Sequence, residues 1–175
     1  MSLVRFKASN HPQQVAAQGA DDEVDDRGTP QDFWDELDAR YQFTLDVAAA
    51  PHNAKCRDYY TRLADGLLQP WRGSIWCNPP YSGLDRWLAK AWAEWERQGG
   101  PRTIVMLLPA NRPEQPWWQT YVEPHRDRPG SPLSVRFLPG RLRFIKPGAI
   151  DVKPNERPPF GCCLLVWTRL DPASN

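Results

Sequence analysis

Apolar positions along this chain fall into two kinds of run, and the order in which they alternate lays out an α/β domain. Leu84, Trp87, Leu88, Ala91, Trp92 and Trp95 recur at the spacing of one helix face, and Gly99-Gly100-Pro101 stops the pattern. On either side lie short runs without that period, Ser74-Ile75-Trp76-Cys77 before it and Thr103 to Leu108 after it, the second almost continuously apolar. Runs of that kind suit parallel strands buried on both faces. Together they predict a strand, loop, helix, strand unit. Its loop after Cys77 falls at the carboxyl edge of a parallel sheet, where α/β proteins bind ligands.

Upstream, Phe33, Trp34, Leu37 and Tyr41 share a helical face, which predicts a helix from about 30 to 41. Thr29, Pro30 and Asp32 read as its N-cap, a first-turn proline and an acid that favours the helix dipole. Phe43 to Val47 is β-prone and gives way to small residues at Asp46-Val47-Ala48-Ala49, where a loop starts. Beyond Leu108 the chain loosens into Pro109 to Pro132, rich in proline, tryptophan and arginine, with a helix expected around Trp117 to Val122. Loops this long are usually functional or disordered. Ser134–Leu138 and Leu142–Ile145 flank Pro139-Gly140-Arg141, which reads as a β-hairpin, and Gly161–Trp167 is a last strong strand. The expected fold is three-layer α/β with an antiparallel C-terminal hairpin.

A length of 175 residues suits one domain. Residues 1–27 are polar, acidic and aperiodic, so they read as a disordered or loosely attached tail, and a single domain is expected over 28–175. No run of 18 apolar residues exists and the start lacks the apolar core of a signal peptide, which predicts a soluble, cytoplasmic protein without a membrane partner. Cys56, Cys77, Cys162 and Cys163 include no CxxC pair, so no metal site is expected, and the adjacent Cys162 and Cys163 read as strand residues. The net charge of +1 hides an asymmetry: ten acids stand against Arg27 and Arg40 over residues 21–46, while residues 126–157 carry eight basic residues against three acids. That basic third can face phosphates.

The chemistry concentrates in Asn78-Pro79-Pro80-Tyr81. Two prolines remove backbone donors and stiffen the loop, leaving carbonyls as fixed acceptors, and the Asn78 amide oxygen supplies another. A planar NH2 group could donate to both. Its lone pair, otherwise delocalised, would then be aimed at an incoming electrophile. Tyr81 offers an aromatic face on which a flipped base could stack.

Thr29-Pro30, then FTLDVAAAPHNAKCRDYYT, ADGLLQPW, IWCNPPYS, TIVMLLPA, GRLRF and a closing apolar strand resemble, over about residues 29–168 and in consistent order, the phage-type Dam-like family of DNA N6-adenine methyltransferases. The resemblance implies a compact Rossmann-like methyltransferase fold, S-adenosylmethionine as methyl donor, double-stranded DNA as partner and adenine N6 as acceptor, in a bacterial cell from a phage or prophage gene. Carried over by position, Thr29 and Pro30 lie near the methionine part of the cofactor, Asp46 and Ala48 line its pocket, and Asp65 serves its adenosine end. Asn78 and the Pro79 carbonyl hold the amine, Pro80 stiffens the loop, and Tyr81 stacks on the base. Residues 111–132 become a candidate DNA-contacting insertion, with Arg112, Arg141 and Arg143 as phosphate contacts.

One departure stands out. Where many methyltransferases turn on glycines after the first strand, this chain has Val47-Ala48-Ala49-Ala50-Pro51. Other planar amines remain open as substrates, namely cytosine N4, RNA adenine or a protein glutamine, as does a DNA-binding relative without catalysis. Serine is the commoner residue at the Asn78 position in cytosine N4 enzymes, which tilts the reading to adenine.

Overall fold

The computed structural model describes residues 28–145 and 160–169; the expected acidic tail lies outside them. Four parallel strands, β1 (Leu45–Asp46), β2 (Asp58–Tyr59), β3 (Ser74–Cys77) and β4 (Thr103–Pro109), are extended by β6 (Cys162–Thr168), which runs antiparallel to β4, and by β5 (Leu133–Phe137), which runs antiparallel to β6. They form one sheet in the order β2-β1-β3-β4-β6-β5. Helix α1 spans Gln31–Tyr41, α2 spans Leu84–Glu96 after a 3-10 turn at Tyr81–Gly83, and α3 spans Pro116–Tyr121. Among the described residues no helix is long and apolar enough to cross a membrane.

The two faces of the sheet bury separate sets of side chains, as strand alternation requires. Ile75, Cys77, Ile104, Met106, Leu108, Cys163, Leu165 and Trp167 pack with Leu84, Trp87, Leu88, Ala91 and Trp95 of α2 and Trp118 of α3. Trp76, Val105, Leu107, Cys162, Leu164 and Val166 pack with Trp34 and Leu37 of α1 and with Phe144. The expected three layers are present, and covering both faces is why β3 and β4 carry buried residues throughout. All four cysteines are free thiols, and Cys162 and Cys163 are buried strand residues as expected.

Inside the apolar face of α2 sits one carboxylate, Glu94. Burial alone would raise its pKa, but hydrogen bonds from Lys90 (2.6 Å) and Arg97 (2.8 Å) and from the Trp71 N–H (3.2 Å) outweigh that and hold it below the usual value. Arg97 also donates to the Trp71 carbonyl at 2.9 Å, so this group clamps the end of α2 to the approach to β3.

Three expectations are corrected. The helix begins one residue later, with Pro30 at the N-cap position and no side-chain cap, so Thr29 does not cap it. The strand expected over Phe43–Val47 is regular only at Leu45–Asp46, with backbone contacts to β3 on either side from the Thr44 N–H to the Ser74 carbonyl (2.8 Å) and from the Val47 N–H to the Trp76 carbonyl (3.1 Å). The hairpin across Pro139-Gly140-Arg141 does not form: β5 pairs with β6, and Ile145 makes a bridge to Gly28 through N–H to O contacts of 2.8 and 2.9 Å. The apolar run Cys162–Trp167 offers β5 a buried partner that the exposed or half-buried residues 141–143 do not.

Strand direction gathers the loops. Residues following Asp46, Tyr59, Cys77, Pro109 and Phe137, and those preceding Cys162, all leave the sheet at one edge.

Candidate active site

At that edge β3 stops at Cys77, since neither Pro79 nor Pro80 has an N–H to extend a ladder. Pro79 is buried and Asn78, Pro80 and Tyr81 are half-buried. The Pro80 carbonyl accepts from the Gly83 N–H at 3.4 Å and closes the 3-10 turn that leads into α2. The Asn78 side-chain nitrogen donates to the Thr29 hydroxyl at 3.3 Å, joining residues 49 positions apart. Thr29 is buried, 2% exposed, and Gly28 before it is held by the bridge to Ile145.

Tyr81 packs its ring 6.0 Å from that of Phe160, tilted by 59°. Its hydroxyl lies against the Cys162 thiol, which burial pushes up to about 12 while the Tyr81 hydrogen bond works against the rise.

Asp46 ends β1 and is 2% exposed. Its two carboxylate oxygens accept from backbone N–H groups of its own loop, Ala48 at 3.3 Å and Lys55 at 3.0 Å. Burial pushes its pKa up to about 6, against the lowering effect of those two N–H groups and of the Lys55 ammonium. The carboxylate therefore braces the Val47–Lys55 loop. Asp65 does similar work: it takes a left-handed conformation (φ 52°) and its side chain accepts from the Leu67 N–H at 3.1 Å. Gly66 beside it is required by contact, because a Cβ there would collide with the Val47 carbonyl oxygen. The loop after β2 is thus seated against the loop after β1.

Arg112 is half-buried in the loop after β4, while Arg141 and Arg143 are exposed in the segment that leads to Ile145. Within residues 111–132, Trp118 is a core residue whose ring nitrogen donates to Glu123 at 2.8 Å, and Trp117 packs against the same core. Arg126 is paired with Glu123 at 2.9 Å.

A family model described as DNA N-6-adenine-methyltransferase (Dam) matches residues 17–171. The chain belongs to this Dam family. A DNA N-6-adenine-methyltransferase of Escherichia phage T1 is 33% identical over 110 residues, covering 61% of this chain and 42% of the relative. Another, of Haemophilus phage HP1, is 34% identical over 68 residues, 38% of each chain. The matches therefore span less than half the length of these relatives.

Within this Dam-family chain, several residues at the edge escaped the sequence reading. Phe160 stands one residue before the last apolar strand, in a turn without periodicity, so nothing marked it as the ring beside Tyr81. The Lys55 N–H reaches Asp46 through backbone, which no side-chain pattern reveals. Asn111 follows Ala110, whose N–H donates to the Gly161 carbonyl at 2.9 Å, and the Asn111 amide oxygen is buried without a hydrogen-bond partner among the described residues. Its only sequence signal was position, two residues past the end of β4.

The raised pKa of Asp46 has a measurable consequence. Folding favours its protonated form, so its contribution to stability is fully present below pH 3.8 and lost as pH rises through about 6. Between pH 4 and 7, the wild type should lose stability relative to Asp46→Asn by on the order of 3 kcal/mol, read from urea midpoints. A difference that stays constant across that range would mean Asp46 titrates normally.

Proposed function

We propose that this chain is a DNA methyltransferase of Rossmann-like fold that transfers a methyl group from S-adenosylmethionine to N6 of adenine in double-stranded DNA. One observation carries the reading: Asn78-Pro79-Pro80-Tyr81 leaves a buried parallel strand at the loop edge with its amide held and its tyrosine beside a second ring. Family membership supplies the choice of adenine in DNA, since the acceptors alone would orient any planar amine.

The Asn78 oxygen and the Pro79 carbonyl accept the two hydrogens of the amine, which turns its lone pair out of the ring plane. Engagement of the Pro80 carbonyl by Gly83 leaves the Pro79 carbonyl as the neighbouring acceptor. Tyr81 and Phe160 give aromatic surface against which a base taken out of the duplex packs.

The donor set around β1 fits S-adenosylmethionine as a wall of small residues. Ala48 is half-buried with backbone held by Asp46, and the Asp65-Gly66 loop closes against Val47. Thr29 and Pro30 border the same edge. When bound, this group supplies a methyl on a positively charged sulfur. Asp46 and Asp65 serve it by shaping loops, because their carboxylates already accept backbone N–H groups.

Residues 28–175 act as one methyltransferase domain in this reading, with 1–27 as a tail and 111–132 as the DNA-contacting insertion. Arg112, Arg141 and Arg143 meet phosphates. Asn78→Ala should lower methyl transfer from tritiated cofactor at least 100-fold while cofactor affinity, measured by calorimetry, changes little. Near-normal transfer would remove the assigned role of the loop. Alanine at both Arg141 and Arg143 should weaken DNA binding and reduce the slope of log affinity against log salt by about 1 to 2. An unchanged slope would place the phosphate contacts elsewhere.

A further inference from the structure

We infer that Thr29 is a positioning residue for the Asn78 amide, and that its effect falls on the rate of methyl transfer more than on cofactor affinity. The inference rests on the functional reading above and assigns Thr29 a different task from the cofactor contact that family resemblance implies.

Thr29 is freed for this task by the way α1 begins. A threonine before Pro-Gln-Asp would ordinarily cap the helix, yet Pro30 occupies the N-cap position and the Thr29 hydroxyl lies 3.3 Å from the Asn78 amide nitrogen. The contact is buried on the threonine side, which is 2% exposed. The backbone is fixed too: Gly28 exchanges two hydrogen bonds with Ile145, of 2.8 and 2.9 Å, and the Pro30 carbonyl accepts the first helical N–H, from Trp34, at 3.1 Å. A hydroxyl mounted between two anchored residues is a rigid reference point.

Such a point matters because the two ends of a carboxamide are nearly identical in shape and opposite in hydrogen-bonding sense. Rotated by half a turn, Asn78 would present NH2 to an NH2 substrate, and the acceptor that aligns the lone pair would be gone. With its nitrogen donating to Thr29, the amide keeps its oxygen as the end turned away from that residue. The amide plane is fixed at the same time. The Thr29 contact therefore acts on the alignment of the amine, to which transfer rates are steeply sensitive.

The test is Thr29→Val, of nearly the same shape without the hydroxyl, compared with Thr29→Ser, which keeps it. Thr29→Val should lower kcat about 10- to 100-fold with the dissociation constant for S-adenosylmethionine within about twofold of wild type, and Thr29→Ser should restore most of kcat. The side-chain amide resonances of Asn78, assigned by their loss in Asn78→Ala, should shift in Thr29→Val and return in Thr29→Ser. Should the valine variant fail to fold, Thr29→Ala carries the same comparison. Retained kcat with weakened cofactor binding would make Thr29 a cofactor contact and overturn the inference alone. A folded wild type that transfers no methyl group would overturn the functional reading along with it.

Discussion

Two adjacent prolines at the end of a buried strand set the terms for the rest of this molecule. Because neither can donate to a ladder, β3 has to end at Cys77, in the middle of a sheet where the adjacent β4 runs on. β4 continues to Pro109 and is paired along its whole length by β6. The break leaves the Asn78 loop beside the longer β4, with its amide held by Thr29 and its Pro80 carbonyl by the Gly83 N–H. The same edge collects the loops after β1, β2, β4 and β5, and chemistry assembled from distant segments follows from strand direction alone.

The other half of the edge is held electrostatically. Asp46 is buried at a strand end, a placement that disfavours its charge, yet it sits there because two backbone N–H groups of the following loop need an acceptor. That arrangement explains how a run of alanines forms the turn after β1 without glycine. The turn is shaped by a carboxylate inside it and by Gly66 pressed against it from the next loop, so the glycine needed for close approach stands 20 residues downstream of Asp46. Thr29 closes the arrangement from a third side, and Ile145, the bridge partner of the preceding Gly28, follows directly on the segment that carries Arg141 and Arg143.

The central unit was legible because its signals were strong and local. The α2 face shows an uninterrupted helical period, and β3, β4 and β6 are apolar runs bounded by proline or glycine. Where the reading failed, long-range pairing prevailed over local punctuation. Pro139-Gly140 resembles a hairpin turn, but β5 found its partner in β6 about thirty residues away along the chain. β2 consists of two exposed residues and is a strand only because β1 lies beside it. Thr29 carried every mark of a helix cap, and only the folded chain reveals that its hydroxyl meets Asn78 instead. Of the candidate site, the Asn78 loop was readable from chemistry and placement. Phe160, the Lys55 N–H and Asn111 were not, since each contributes through tertiary neighbours that no sequence period encodes.

Central to the proposed function is a loop that presents acceptors to the N6 amine of adenine in DNA. Incubating the purified chain with labelled S-adenosylmethionine and unmethylated double-stranded DNA, then digesting the DNA to nucleosides, tests that claim most directly. The account predicts label in N6-methyl-deoxyadenosine. Label in N4-methyl-deoxycytidine, or none from folded protein, would contradict it.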